Sequence, residues 1–236
     1  MINRRKQIAM KYFLDSSDVN EVEYAFTAFG IDGVTTNPRQ LAVIGKKEAV
    51  VVRELGEWAA RHGFSSSQEF PISIEVDPNL TKWEDICREA RKIVQEGPCF
   101  VVKIPCTEEG LIAARRLEEE GIRTNVTLVF SRSQALAVAR LGAKFVSPFV
   151  GWKENFGEDT ASYLQDIVET YRNYSYDTEI IVAAVRSGKV LADAARMGAD
   201  IVTCSLEVMK NSVYHPFTDY GLRFFTEAWN AVEAME

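Results

Sequence analysis

The chain has 236 residues, with 27 lysines and arginines against 34 aspartates and glutamates, for a net charge of −7. That balance, and an isoelectric point near 5.1, argue against a nucleic-acid or membrane-surface partner but leave room for a locally positive pocket that takes a small anion. Hydrophobic residues at 47% and charged residues at 26% suit one large globular domain over 1–236, long enough to bury a core without a disulfide or metal staple.

Taken in chain order, the hydrophobic period alternates between strand-like and helix-like. KYFLD (11–15) reads as a short strand, and DSSDVNEVEYAFTAF as an Asp/Ser-capped amphipathic helix. DGVTTN (32–37) is a second strand, with a helical stretch behind it to about residue 62. PISIEV (71–76) precedes the charged helix TKWEDICREARKIVQ, and CFVVKIP (99–105) precedes TEEGLIAARRLEEE. RTNVTLVF (123–130) leads into SRSQALAVARL. KFVSPFV (144–150) leads through a loop containing Gly157 to a helix near 160–172. EIIVAAV (179–185) is followed by SGKVLADAARM, and ADIVTC (199–204) is the last strand. The amphipathic segment TDYGLRFFTEAWNAVEAM remains beyond the repeating pattern, as an additional helix within 218–236.

Eight β–α units with short connections and β-branched strands buried on both faces predict a (β/α)₈ TIM barrel, in the α/β class. The competing fold, an open doubly wound sheet, carries a glycine-rich phosphate loop after its first strand. Here that strand runs into LDSSD, with no GxGxxG. The closed barrel is therefore expected. Cys87, Cys99, Cys106 and Cys204 show no CxxC or Cys/His spacing, so no metal site is expected, and scattered thiols suit a reducing compartment. The basic start, MINRRKQIAMKYFLD, lacks the apolar run of a signal peptide, and no stretch of about 18 apolar residues is present to span a bilayer. The expected location is the cytoplasm.

In such barrels chemistry sits at the C-terminal ends of the strands. Those ends carry Asp15, Thr36, Asn37, Glu75, Lys103, Asn125, Thr127, Ser147 and Arg186. Any one of them can be a hydrogen-bonded structural residue. Polar groups from seven strands converging on one mouth are harder to explain that way, because desolvated polar groups are costly unless paired. Lys103 lies in the apolar run CFVVKIP. Burial there disfavours the ammonium, and a neutral amine in an apolar pocket attacks carbonyls to form imines. Alternatively it pairs with Glu75 or Asp15 for structure alone. Asn125 and Thr127, two apart on one strand, face the same side, either toward Lys103 or as a bridge between layers of the interior.

Taken together, FLDSSDVNEV, DGVTTNP, SIEV, VVKIPCTEEGL, GIRTNVTLVFS, SPFVG and ADIVT resemble the small transaldolase and fructose-6-phosphate aldolase family over nearly the whole chain. The resemblance implies a class I mechanism with no metal and no organic cofactor. By motif, Lys103 would be the Schiff-base lysine and Asp15 the acid/base for carbon–carbon cleavage. Glu75 and Thr127 would hold the water that relays protons. Thr36, Asn37 and Asn125 would border or bind the retained three-carbon fragment. The aldolase branch typically has a tyrosine where this chain has Phe130. That difference, with Glu75, favours transfer of dihydroxyacetone over its release.

Members of the family clamp a sugar phosphate with two arginines and a serine. Ser147 and Arg186 match two of these positions, whereas Trp152 replaces the first arginine. Indole offers one donor and no charge. The exchange resembles that of sulfofructose transaldolases, enzymes of sulfosugar breakdown. It implies cleavage of 6-deoxy-6-sulfofructose to 3-sulfolactaldehyde, with dihydroxyacetone passed to glyceraldehyde 3-phosphate or erythrose 4-phosphate. An ordinary transaldolase or aldolase acting on phosphorylated ketoses is the alternative, and a non-catalytic sugar-phosphate-binding barrel is a third reading. Arg39, where the family usually has a small residue, is either an exposed first-turn residue or part of the anion mouth. Lys153 is a candidate to replace the lost charge. The resemblance further implies a homo-oligomer, pentamer or decamer, with the C-terminal helix on a neighbouring subunit.

Overall fold

The computed structural model describes residues 9–235, so the basic stretch 1–8 and Glu236 lie outside the described residues. Eight parallel strands close a barrel in sequence order: β1 Lys11–Asp15, β2 Gly33–Thr35, β3 Ile72–Glu75, β4 Phe100–Pro105, β5 Thr124–Val129, β6 Phe145–Pro148, β7 Glu179–Val185 and β8 Ile201–Cys204. β8 pairs back onto β1 through Lys11↔Ile201 to Leu14↔Cys204. This is the expected (β/α)₈ architecture.

Alternation along each strand splits the core in two. Val102 and Ile104 of β4, Val126 of β5 and Val182 of β7 face outward into the large cluster beneath the helices. Val101, with Phe13, Phe145, Ile181 and Ile201, forms a separate apolar cluster in the bore. A period of two in parallel strands covered by helices produces this division. Gly33 makes room for the bore cluster: a Cβ there would lie 2.7 Å from the Phe13 ring and 2.8 Å from the Pro71 carbonyl. Any side chain at residue 33 would push the ring or the strand aside.

The helices follow the predicted order with three refinements. The stretch after β2 breaks at Gly45 into α2 (Pro38–Ile44) and α3 (Glu48–Arg61), because Gly45 takes a left-handed φ of 67° and ends α2. The loop after β6 contains a short helix, Gly151–Asn155, which bears on the site described below. β8 is followed by a helix, Leu206–Val213, capped by Ser205 and not anticipated from the sequence. The terminal helix then begins at Pro216 and runs to Glu233. Its pattern leaves Phe217, Leu222, Phe225 and Trp229 exposed. No helix among the described residues is long and apolar enough to cross a membrane.

At the end of the barrel where the strands begin, Glu179 is clasped by Lys11 at 2.6 Å and Lys144 at 2.8 Å, tying β1 and the start of β6 to β7. Burial pushes its carboxyl up, but the two ammonium groups outweigh burial and hold it below the ordinary carboxylate range. Stability from a lowered carboxyl is present above the unfolded-state value and lost as pH falls through the folded one. Glu179→Gln should cost about 1–3 kcal/mol at pH 7, and the gap from wild type should narrow below about pH 4. Urea melts at pH 7 and pH 3.5 would show this; a constant gap would mean that the carboxylate charge is not what holds the strands.

Candidate active site

Above the apolar cluster the bore becomes polar. Register sets Glu75 of β3 beside Lys103 of β4, and Lys103 beside Asn125 of β5, so adjacent strands project these side chains at one level. Lys103 is 4% exposed. Its Nζ lies 3.0 Å from Glu75 Oε2 and donates to the Thr36 carbonyl at 2.9 Å. A buried charge is tolerated only when paired in this way. Across the bore Asp15 Oδ1 accepts from Thr35 Oγ1 at 3.0 Å and from Asn37 Nδ2 at 3.4 Å. Asn37 also caps α2, its Oδ1 accepting from the Gln40 amide, so one residue starts a helix and steers a carboxylate.

Asn125 bridges the interior, donating to Ser73 Oγ at 3.2 Å and accepting from Ser147 Oγ at 2.7 Å. Thr127 differs from its neighbours. It is fully buried, and its Oγ1 has no hydrogen-bond partner among the described residues. An unpaired buried hydroxyl costs roughly 1–3 kcal/mol, and this one lies two residues along β5 from Asn125, the register partner of Lys103. Cys204, behind Asp15, is no rival nucleophile: burial and then the Asp15 charge push its thiol up to about 12.

These groups open into a cavity of about 570 Å³. Asp15, Asn37, Glu75 and Lys103 line its β1–β4 side, while Ser147, Trp152 and Arg186 line the part reached from β6 and β7. Thr36, Asn125, Thr127 and Phe130 are not among the lining side chains. Thr36 turns its hydroxyl to the Ser73 carbonyl, and Thr35 faces the cavity instead. Phe130 stands one ring back; the phenyl ring that reaches the cavity is that of Phe149. Ser147 donates its single O–H to Asn125, which leaves it no proton to offer an anion at the same time.

Two bulges shape the mouth. β5 slips register between Val126 and Val129 and β7 between Val182 and Val185, on either side of β6. Leu128 (φ 56°) and Ala184 (φ 58°) are the left-handed residues within them, and both line the cavity. This conformation costs a non-glycine residue roughly 1–2 kcal/mol, the kind of local strain that collects at functional sites. It lets two consecutive residues of a strand face inward, which strict alternation forbids.

Between the bulges lies α7, Gly151–Asn155. A Cβ at Gly151 would sit 2.2 Å from the Ala184 carbonyl, so only glycine lets the helix rest on the end of β7. Trp152, 47% exposed, packs against Phe130 and Phe149 with both ring centroids 5.8 Å away. Its indole N–H has no partner among the described residues. Lys153 points elsewhere: its Nζ donates to the Phe130 carbonyl at 3.2 Å, pairs with Glu158 and lies over the Tyr163 ring. It anchors the segment and adds no free charge to the cavity. Arg39 lines the mouth but follows β2, half the ring away from β6.

The sequence profile described as Transaldolase/Fructose-6-phosphate aldolase matches residues 12–235. The chain belongs to this family. Within it, the chain is 57% identical over 221 residues to a 6-deoxy-6-sulfo-D-fructose transaldolase of Priestia aryabhattai, covering 94% of this chain and 96% of that protein. A protein of the same name from Priestia megaterium matches equally. A probable transaldolase of Bdellovibrio bacteriovorus is 39% identical over 224 residues, covering 95% and 99%.

A transaldolase-family site retains an unpaired buried hydroxyl only at a cost to stability. Thr127→Val should therefore leave the protein as stable as wild type or more so, by up to about 1 kcal/mol, while lowering kcat at least about tenfold. Thermal melting and initial rates measured on one preparation would check both. An unchanged kcat would remove Thr127 from the chemistry.

Proposed function

We propose that this chain is a Schiff-base-forming transaldolase that cleaves 6-deoxy-6-sulfofructose to 3-sulfolactaldehyde and passes dihydroxyacetone to glyceraldehyde 3-phosphate or erythrose 4-phosphate. Lys103 Nζ attacks the ketose carbonyl once its extra proton has left, and Glu75, 3.0 Å away, is the base within reach. A water held by Glu75 and Thr127 carries protons while the carbinolamine loses water to give the imine. Asp15, fixed by Thr35 and Asn37, takes the proton from the C4 hydroxyl. The C3–C4 bond breaks, its electron pair enters the imine to give an enamine, and the aldehyde leaves. The enamine then attacks the acceptor aldehyde, Asp15 returns its proton, and water releases the new ketose from Lys103. Asn37, which lines the cavity, and Asn125, by exchanging its bond to Ser73 or Ser147, would hold hydroxyls of the retained fragment. Neither Phe130 nor Phe149 has a hydroxyl to protonate the enamine, which favours transfer over release of dihydroxyacetone.

The observation that carries the choice of substrate is the lone guanidinium at the β6–β7 side of the cavity, beside an uncharged indole. A phosphate monoester carries about −1.5 to −2 at pH 7, whereas a sulfonate is a monoanion. One arginine and an indole N–H match the monoanion, since Lys153 is engaged and Arg39 lies across the mouth. The relatives named for sulfofructose support the same reading. We further propose that the chain works as one barrel domain in the cytoplasm, consistent with its four free thiols. The apolar side chains that the terminal helix leaves exposed support assembly into a pentamer or decamer.

With glyceraldehyde 3-phosphate as acceptor, kcat/KM for sulfofructose should exceed that for fructose 6-phosphate by at least about tenfold, roughly 1.4 kcal/mol of discrimination. Trp152→Arg should shift the ratio toward the phosphate sugar. A strong preference for fructose 6-phosphate that Trp152→Arg leaves unaltered would refute the sulfonate assignment and leave an ordinary transaldolase. Borohydride added during turnover should attach a three-carbon or ketose-derived mass to Lys103. An unmodified Lys103 would instead point to a barrel that binds sugars without reacting.

A further inference from the structure

The structure assigns to Asn155 the task of aiming Arg186 at the substrate anion without neutralising it. Arg186 follows β7, is exposed, and has a long side chain with many rotamers, so something must hold its guanidinium over the cavity. Two contacts with α7 do so. Nη1 donates to Asn155 Oδ1 at 3.0 Å. The stem lies along Gly151, where a Cβ would come within 3.0 Å of Nε and 3.2 Å of Cδ. Asn155 does not itself line the cavity; it acts through the arginine and is a positioning residue.

The chemical type of the tether matters more than its presence. An aspartate would hold the arginine equally well and more tightly, because arginine and carboxylate pair readily. It would also cancel the one free positive charge at this side of the cavity. An amide oxygen offers similar acceptor geometry at zero charge, leaving the other guanidinium N–H groups and the full charge for the ligand. The acids on this segment are diverted in the same sense. Glu158 pairs with Lys153, and Glu154 accepts from Thr160. Among the described residues no carboxylate pairs with Arg186. An anion site with a single arginine depends on that separation, since a second cation is not there to compensate.

The inference rests on the proposed function only in requiring an anionic ketose or aldose, and it holds whether the anion is a sulfonate or a phosphate. The test compares the full-length wild type with Asn155→Ala and Asn155→Asp. Sulfofructose serves as donor, with glyceraldehyde 3-phosphate or neutral D-glyceraldehyde as acceptor. Asn155→Ala should raise KM for the anionic substrates about three- to tenfold with kcat within about twofold. Asn155→Asp restores a hydrogen-bond acceptor yet should raise KM further, and more for the phosphate acceptor than for the sulfonate donor. KM for D-glyceraldehyde should not move in either variant. On an Arg186→Met background both substitutions should lose their effect, which also guards against misfolding as the cause. Rescue by aspartate, a parallel rise in KM for D-glyceraldehyde, or full additivity with Arg186→Met would each overturn the assignment. If the wild type ignores sulfofructose, the sulfonate reading fails alone, and the Asn155 series is read with fructose 6-phosphate.

Discussion

Lys103 and Glu75 face each other at 3.0 Å inside a barrel bore that admits little water. Removing two such ions from water costs several kcal/mol each, and their attraction offsets this only with good geometry and further hydrogen bonds. The geometry comes from the closed sheet: Glu75↔Lys103 is a register pair, and register in a barrel cannot slip on one strand without disturbing the rest. The additional hydrogen bond comes from the Thr36 carbonyl at the end of β2. Three strands are therefore held to one another by a contact that a folded protein would not select for stability. On the proposed mechanism its justification is chemical, because an amine that becomes a nucleophile needs a base beside it.

That contact explains the gradient along the bore. Phe13, Val101, Phe145, Ile181 and Ile201 seal one end with dry packing, which keeps the local dielectric low beneath Lys103. Above them Ser73, Asn125 and Ser147 form a hydrogen-bonded chain across the barrel. The chain satisfies its own members. Thr127 is the interruption. Every other buried side-chain polar atom among the described residues has a protein partner, and this one, two residues beyond Asn125 on β5, has none.

Much of this was legible in the amino-acid sequence. Parallel strands buried on both faces announce themselves as β-branched runs, and a lysine inside one is conspicuous because it is costly there. What was not legible followed from departures from strict period two. Leu128 and Ala184 reach the cavity only because their strands bulge in a left-handed conformation, and neither is a residue type that advertises this. Alternation from Gly33 puts Thr35 inward, but two threonines in a row do not say which of them reaches the cavity. Phe130 and Phe149 both stand at strand ends and Trp152 packs equally against the two; the cavity lining, which includes Phe149 and not Phe130, is what separates them. The helix carrying Trp152 is five residues long, too short for a hydrophobic period to register. Its marker was Gly151, whose necessity is visible only once the Ala184 carbonyl stands beside it.

The two parts of the site are secured by different means, and this bears on how substrate choice can vary. Asp15, Glu75, Lys103 and Thr127 sit on strands, each strand pinned by two neighbours, so the closed sheet sets their positions. The anion wall hangs from a five-residue helix attached at a few separate points: Gly151 on β7, Lys153 on the end of β5, Trp152 on two phenyl rings and Asn155 on Arg186. Each of these contacts is worth on the order of 1 kcal/mol, and none lies in the bore. On the proposed reading, an indole in place of a charged residue there alters the charge presented to the distal end of the sugar. It leaves the distance between Lys103 and Glu75 untouched, so a family with one chemistry can serve anions of different charge by rebuilding this segment alone.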